Sequence, residues 1–440
     1  MTNQRTLKKQ IRSRMERTGE RYTTARSHVL ATRSTRTDPI TFVGGQQSDV
    51  ASATNLLNSA GLTGPDGAPL TEAQVFGLSG GVGFLYGVFR YDTGPTMTIT
   101  TRNTSMPDTF LDQLWATEGL DATVSTGGSK KAAAALDAIV NSGRRALVTV
   151  GAGAMGYIGL PPDESAMYPL AVGVLGRHGD DYLIDDRSPT PHRVSVETLL
   201  TARAVVRSAK HRMVEVGGGE FHWDNVITDA IAAGVERYNS PPVKQFAPNV
   251  GLPGLDKWQR LLTDHKDRMS WAKVFNSGRD AAIGFSRLYE CVEHAYTAPA
   301  AGRPLQAEFL RWAATVTGRQ EFNQAAEHFD AAAGNWARIA ELAASADPAV
   351  TAAAGFMDRR AELLDDGASP MDVNNTYRRQ TEAIESVAIT ADDAGAVREL
   401  IATEVGEIID HEREGLETLT AMRTGERQTR STSGSDADSG

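Results

Sequence analysis

The chain has 440 residues, 40% of them hydrophobic and 23% charged, with a formal net charge of −10; this predicts two or three globular domains with a sizeable core. A single cysteine, Cys291, excludes an intramolecular disulfide, a zinc ribbon and a thiolate-held iron–sulfur cluster. No run of 18 apolar residues occurs and no apolar segment follows the opening charges, so neither a membrane span nor a signal peptide is expected, and the location is expected to be cytoplasmic.

Residues 1–38 read as a basic helical arm. Ten Lys/Arg stand against Glu16 and Glu20 in the first 36 residues, giving +8 there and leaving −18 for the rest. A helix over Leu7–Arg17, a break at Gly19 and a second helix from Tyr22 are expected, with Ile11, Met15, Tyr22, Val29 and Leu30 as the few apolar contacts. That is a solvated helix pair or a hook for a partner. The acidic body repels phosphate backbones, so nucleic acid is disfavoured as a partner and could be met only by the arm.

Residues 39–219 alternate short β-branched runs with helical stretches. Strands are expected at 96–101, 122–125, 146–150, 170–175, 182–184 and 212–216, and helices at 50–60, 109–118, 130–141 and 196–204. Two motifs invite chemistry. Gly151, Gly153 and Gly156 spell the letters of a dinucleotide turn, yet Gly159, Pro161 and Pro162 forbid the helix that would aim amides at a pyrophosphate, so no cofactor is expected. Gly77, Ser79 and Gly81 spell a nucleophile elbow, but a helical run precedes Ser79 and a glycine-broken apolar run follows it; a tight buried turn is the simpler reading.

Residues 220–423 lose the strand signal. Phe322, Phe329 and Trp336 at seven-residue spacing, with Ala325, Ala332 and Ile339 behind them, make one apolar helix face, and Val397, Ile401, Val405, Ile408 and Leu419 make another. An all-α bundle follows from these stripes. Residues 424–440 lack apolar content and are expected to be disordered. Cys291 lies in a helical run and reads as a small buried hydrophobe. Metal-ligand spacings are absent; Glu290 with His294, and Asp410-His411-Glu412, read as ion-paired or solvated faces.

The segment TEAQVFGLSGGVGFLY (71–86), the helix DVASATNLLNSAG before it and AVGVLGRHGDDYLIDDR after it resemble the N-terminal domain of the butirosin biosynthesis protein H family. LPGLDKWQRLLTDHKDRMSW (252–271) and PLQAEFLRWAA resemble the helical domain of unknown function that often follows. The resemblance covers about residues 40–345. It implies an α+β papain-like domain before the helical one, and acyl transfer from an acyl carrier protein to an amine, or hydrolysis of an amide or peptide, in secondary metabolism. It also implies a thiol opening the first helix, a histidine opening a strand and an acid ending the next strand. A nucleophile at a helix N-terminus gains from the macrodipole, and the amides beside it can hold an oxyanion.

Two of those three positions are altered. The thiol position falls on or next to Ser48, with Gln47 before it; the histidine position falls between Tyr168 and Leu170; the acid matches Asp185. His178 and His192 flank Asp185 and are candidate replacement bases, while Gln47, Gly80, Gly81 and Tyr168 are expected to line the cleft. A serine hydroxyl is un-ionised at neutral pH and needs a base, worth on the order of 10²–10⁴-fold. Two readings stay open: a degenerate acyltransferase or hydrolase using Ser48, Asp185 and His178 or His192, and an inactive papain-like scaffold for a peptide, an acyl carrier or a partner enzyme. The plain alternatives are a helix cap for Ser48 and a turn cap for Asp185.

Overall fold

A computed structural model describes residues 2–26, 29, 44–92, 94–102, 109–160, 169–239, 244–295 and 297–433. The first 220 residues build an α+β unit and the remainder is helical. After helix α1 (Thr2–Thr18), α2 (Ser48–Ser59) and α3 (Glu72–Leu78) lead into a hairpin of β1 (Leu85–Tyr91) and β2 (Gly94–Thr100). Next come α4 (Thr109–Trp115), β3 (Leu120–Ser125), α5 (Ser129–Asn141), β4 (Ala146–Gly151), β5 (Pro169–His178), β6 (Asp181–Asp185), β7 (His192–Ser195), α6 (Val196–Val205) and β8 (Met213–Gly219).

The six strands β3 to β8 form one antiparallel sheet in the order β3-β8-β4-β5-β6-β7. Its central strand β4, ALVTVG, is almost wholly buried, because helices cover both faces. On one face α5 and α6 close a core around Leu136, Val148, Val172, Ile184 and Leu199. On the other lies α2, nine of whose twelve residues are buried. A capping box between Thr71 and Gln74 starts α3, whose chain then turns through the glycine run.

Those glycines are the socket for the second half. A Cβ on Gly77 would fall 1.9 Å from the Phe309 ring, and one on Gly81 2.1 Å from Gln306 Oε1; Gly81 also has φ 66°. Phe309 and Gln306 belong to α11 (Arg303–Thr317) of the helical half. The other helices there are α7 (Trp223–Asn239), α8 (Gly251–Thr263), α9 (Trp271–Val274), α10 (Gly278–Glu293), α12 (Glu321–Ala344), α13 (Pro348–Asp365), α14 (Pro370–Ala383) and α15 (Ala391–Ser433). The predicted stripe Phe322–Phe329–Trp336 is buried throughout, and one hydrophobic core runs from α2 and α3 through β1–β2 into the bundle. Cys291 is buried in it, and burial pushes its thiol upward.

Four details differ from the sequence expectation. The strand β7 was not foreseen, and the run after Ser79 pairs as β1. Residues 424–433, assigned to a disordered tail, continue helix α15 to Ser433. The basic arm is neither free nor merely solvated: Ile11, Tyr22 and Ala25 are buried against Ala361, and Lys8 pairs with Asp366. No helix among the described residues is long and apolar enough to cross a membrane.

Candidate functional site

The N-terminus of α2 meets the C-terminal end of β6 at the floor of a cavity of about 270 Å³ between the two halves. Two glycines make this approach possible. Gly44 and Gly45 run against the turn after β6, where Gly45 N donates to Arg187 O at 2.7 Å and a Cβ on Gly44 would lie 2.8 Å from the same oxygen. Arg187 itself takes φ 41°, a left-handed conformation that costs a residue with a side chain about 1–2 kcal/mol.

Ser48 is the first residue of α2, and Gln47 is its cap. The hydroxyl of Ser48 therefore does not cap the helix; it donates to Asp186 Oδ1. The opposite oxygen of Asp186 accepts from Tyr157 OH at 2.8 Å, and the buried Tyr157 phenol is pushed far up by burial and by Asp186. Glu72 supplies what a cap would: its carboxylate accepts from Gln46 N and Gln47 N at 2.8 Å. Burial lifts the Glu72 carboxyl to about 7 in spite of those bonds.

Asp185, the acid the sequence singled out, faces away from Ser48's hydroxyl partner. It accepts from Asn55 Nδ2 at 2.9 Å, its carbonyl accepts from Ser52 at 2.9 Å, and its other carboxylate oxygen is buried without a partner. Burial raises its carboxyl to about 7. The acid on the serine is thus its neighbour Asp186, the first residue past the end of β6.

Neither candidate histidine takes the base position. His178 is exposed at the far end of the β5–β6 hairpin, where it pairs with Asp181, and its ring nitrogen meets Arg193 at 3.1 Å. Asp181 is four residues up β6 from Asp185, or about 13 Å along the strand. His192 is closer but engaged elsewhere: its ring stacks on Tyr157 at 4.0 Å and Nε2 meets Ser188 Oγ at 3.1 Å. Burial lowers its pKa, against the opposing pull of Asp186 and Asp365. The residue between Tyr168 and Leu170 is Pro169, which opens β5 and lines the cavity; Tyr168 lies outside the described residues.

Gln47 does line the cavity, whereas Gly80 and Gly81 pack against Arg237 and Gln306 away from it. Ser79 is fully buried, donates to Phe76 O and accepts from Arg102 Nη2, both at 2.9 Å, which leaves it no nucleophilic role. After Gly151 the chain enters a single 3₁₀ turn, Ala152–Met155, and no α-helix starts among the described residues 151–160.

The sequence reading missed the far wall. Arg287, Glu290, His294, Arg360 and Gln380 come from the helical half and line the same cavity. His294 Nε2 meets Asp358 Oδ1 at 3.1 Å, and Arg187 Nη1 bridges the carbonyls of Gln46 and His294 at 3.4 and 3.3 Å. Only the Glu290–His294 spacing of one helical turn hinted at this wall. Outside the cavity, His328, His411 and Glu414 bring their ligand atoms within 4.8 Å of one another, an arrangement that could hold a metal ion.

Residues 48–187 match the family described as Butirosin biosynthesis protein H, N-terminal, and residues 197–365 match the Domain of unknown function (DUF4872). Residues 48–187 are thus similar to the N-terminal domain of that family, with the second domain following directly. The match begins at Ser48 and ends at Arg187, the two residues that bracket the site. No curated protein matches the chain at a significant level.

Proposed function

We propose that this butirosin biosynthesis protein H-type domain is papain-like in design, has lost its thiol chemistry, and binds an acyl thioester, free or on an acyl carrier, without turning it over. The observation carrying this reading is the fate of the groups at the head of α2. The Ser48 hydroxyl is committed to a carboxylate, and the loop amides beside it are committed to Glu72.

A carboxylate is a weaker base than imidazole by more than two units in their ordinary values, so Asp186 activates an alcohol poorly. An oxyanion forming beside Ser48 would face the Asp186 carboxylate, and a like charge at that range opposes the transition state. What remains is a cavity lined by both apolar and charged side chains, at a helix terminus that still favours a polar ligand.

A second reading rests on His294. Held by Asp358 and lining the same cavity, it is an oriented imidazole supplied by the helical half, and acyl transfer through Ser48 would use it as base. One experiment separates the two. The full-length protein is incubated with an acyl N-acetylcysteamine thioester and followed by intact mass and thiol release. Saturable binding with no acyl adduct supports the first reading; an adduct on Ser48 that disappears in Ser48→Ala and in His294→Gln supports the second.

A further inference from the structure

Five arginines line the cavity: Arg102, Arg187, Arg212, Arg287 and Arg360. Four are engaged. Arg102 reaches Ser79 at 2.9 Å and Asp49 at 4.0 Å, and Arg187 holds two backbone carbonyls. Arg212 pairs with Asp112, and Arg287 pairs with Glu290 at 2.5 Å.

Arg360, on α13, differs. Its guanidinium has no hydrogen-bond or ion-pair partner among the described residues; it lies 5.3 Å from the centroid of the Tyr377 ring, and Nη1 is buried and unpartnered. The nearest acid on that wall, Glu290, is already paired, and although burial opposes it, Arg287 and then Arg360 hold its carboxyl below the usual range. Gln380, 7% exposed on α14, lines the same wall with Oε1 buried and unpartnered. Buried polar groups are satisfied in the great majority of cases, so unmet ones around a cavity mark where a ligand's polar groups belong. Apolar side chains line the same cavity, among them Trp115, Leu147, Ile158 and Leu170.

We propose that Arg360 forms an oxyanion subsite, seating the carboxylate or phosphate of a ligand whose apolar chain lies along Trp115, Leu147 and Ile158. This rests on the reading of the cavity as a ligand site and adds the charge the ligand carries. A guanidinium suits both anions because its donors match two oxygens at once. Tyr377 keeps the guanidinium in place from its face, leaving the edge for the anion.

Calorimetric titration of the full-length protein with hexanoate, hexyl phosphate and uncharged hexanol tests it. The expected result is saturable 1:1 binding of at least one anion, about 10-fold tighter than hexanol, as a charge-assisted hydrogen bond implies. The ratio of the two anions distinguishes carboxylate from phosphate. Arg360→Gln should abolish the preference over hexanol, Arg360→Lys should keep part of it, and the control Arg338→Gln, on an exposed pair with Glu341, should leave it unchanged. Hexanol binding as tightly as both anions, or an unchanged preference in Arg360→Gln, overturns the subsite while leaving the cavity reading intact. No saturable binding of any probe overturns both. Should Arg360→Gln fail to fold, the wild-type preference and its weakening with added salt decide the matter.

Discussion

Two of the buried polar clusters among the described residues are built to different standards. In the helical half, Arg303 and Glu412 are both fully buried and joined at 2.7 and 3.0 Å; Tyr238 and Trp336 also donate to Glu412, and Arg303 reaches Ala301 O and Gly83 O. Every oxygen and nitrogen of that pair has a partner. At the head of α2, by contrast, Gln47 Oε1, both oxygens of Asp49 and one of Asp185 are buried without a hydrogen bond. The first cluster locks the glycine run to the bundle. The second holds polar groups in reserve, which is how sites differ from scaffolding.

Four experiments can break or sharpen that contrast, from the largest effect down. Glu412→Ala strands a buried guanidinium and should cost about 3–5 kcal/mol in denaturant unfolding; a loss under 1 kcal/mol would end the claim that this cluster is the structural one. Gly77→Ala should cost roughly 1–3 kcal/mol, because its methyl collides with the Phe309 ring; thermal melting that is unchanged would detach the glycine run from interdomain packing.

The third concerns pH. Asp185 and Glu72 are both lifted to about 7, so between about pH 4 and pH 7 the folded chain keeps protons the unfolded chain has released. Stability should therefore fall as pH rises through that window and level off above it. Asp185→Asn, which keeps an acceptor for Asn55, should flatten the fall and raise stability at pH 8 by on the order of 1–3 kcal/mol; an equally steep fall in the variant would refute the assignment. The smallest effect is Ser48→Ala. Its hydroxyl caps nothing and touches one carboxylate, so unfolding free energy should shift by about 1 kcal/mol or less, checked by urea titration.

The same contrast explains what could be read in advance. The strands β3, β4, β5, β6 and β8 and helices α2, α4, α5 and α6 follow from local periodicity, since each carries its own apolar face. The strand β7 did not, being four residues long and flanked by Pro191 and a helix start. In the site, Ser48 and Asp185 were within reach because α2 and β6 are recognisable and the family likeness locates their ends; Asp186, which meets the serine, was not singled out. Which aspartate meets the serine depends on strand twist and register, information no local window contains. Arg360, Gln380 and His294 were out of reach for a simpler reason: they stand over a hundred positions further along the chain, and only the tertiary fold carries them to the cavity.

One contact of the basic arm has a practical consequence. Arg26 reaches Asp365 with two nitrogens and also donates to the carbonyls of Gly45 and Arg187. A single side chain from the leading segment thus ties the end of α13 to both loops that frame Ser48. Recombinant chains trimmed to the family boundaries would discard that tie along with the segment, and ligand titrations on them would report on a slackened rim instead of the native one.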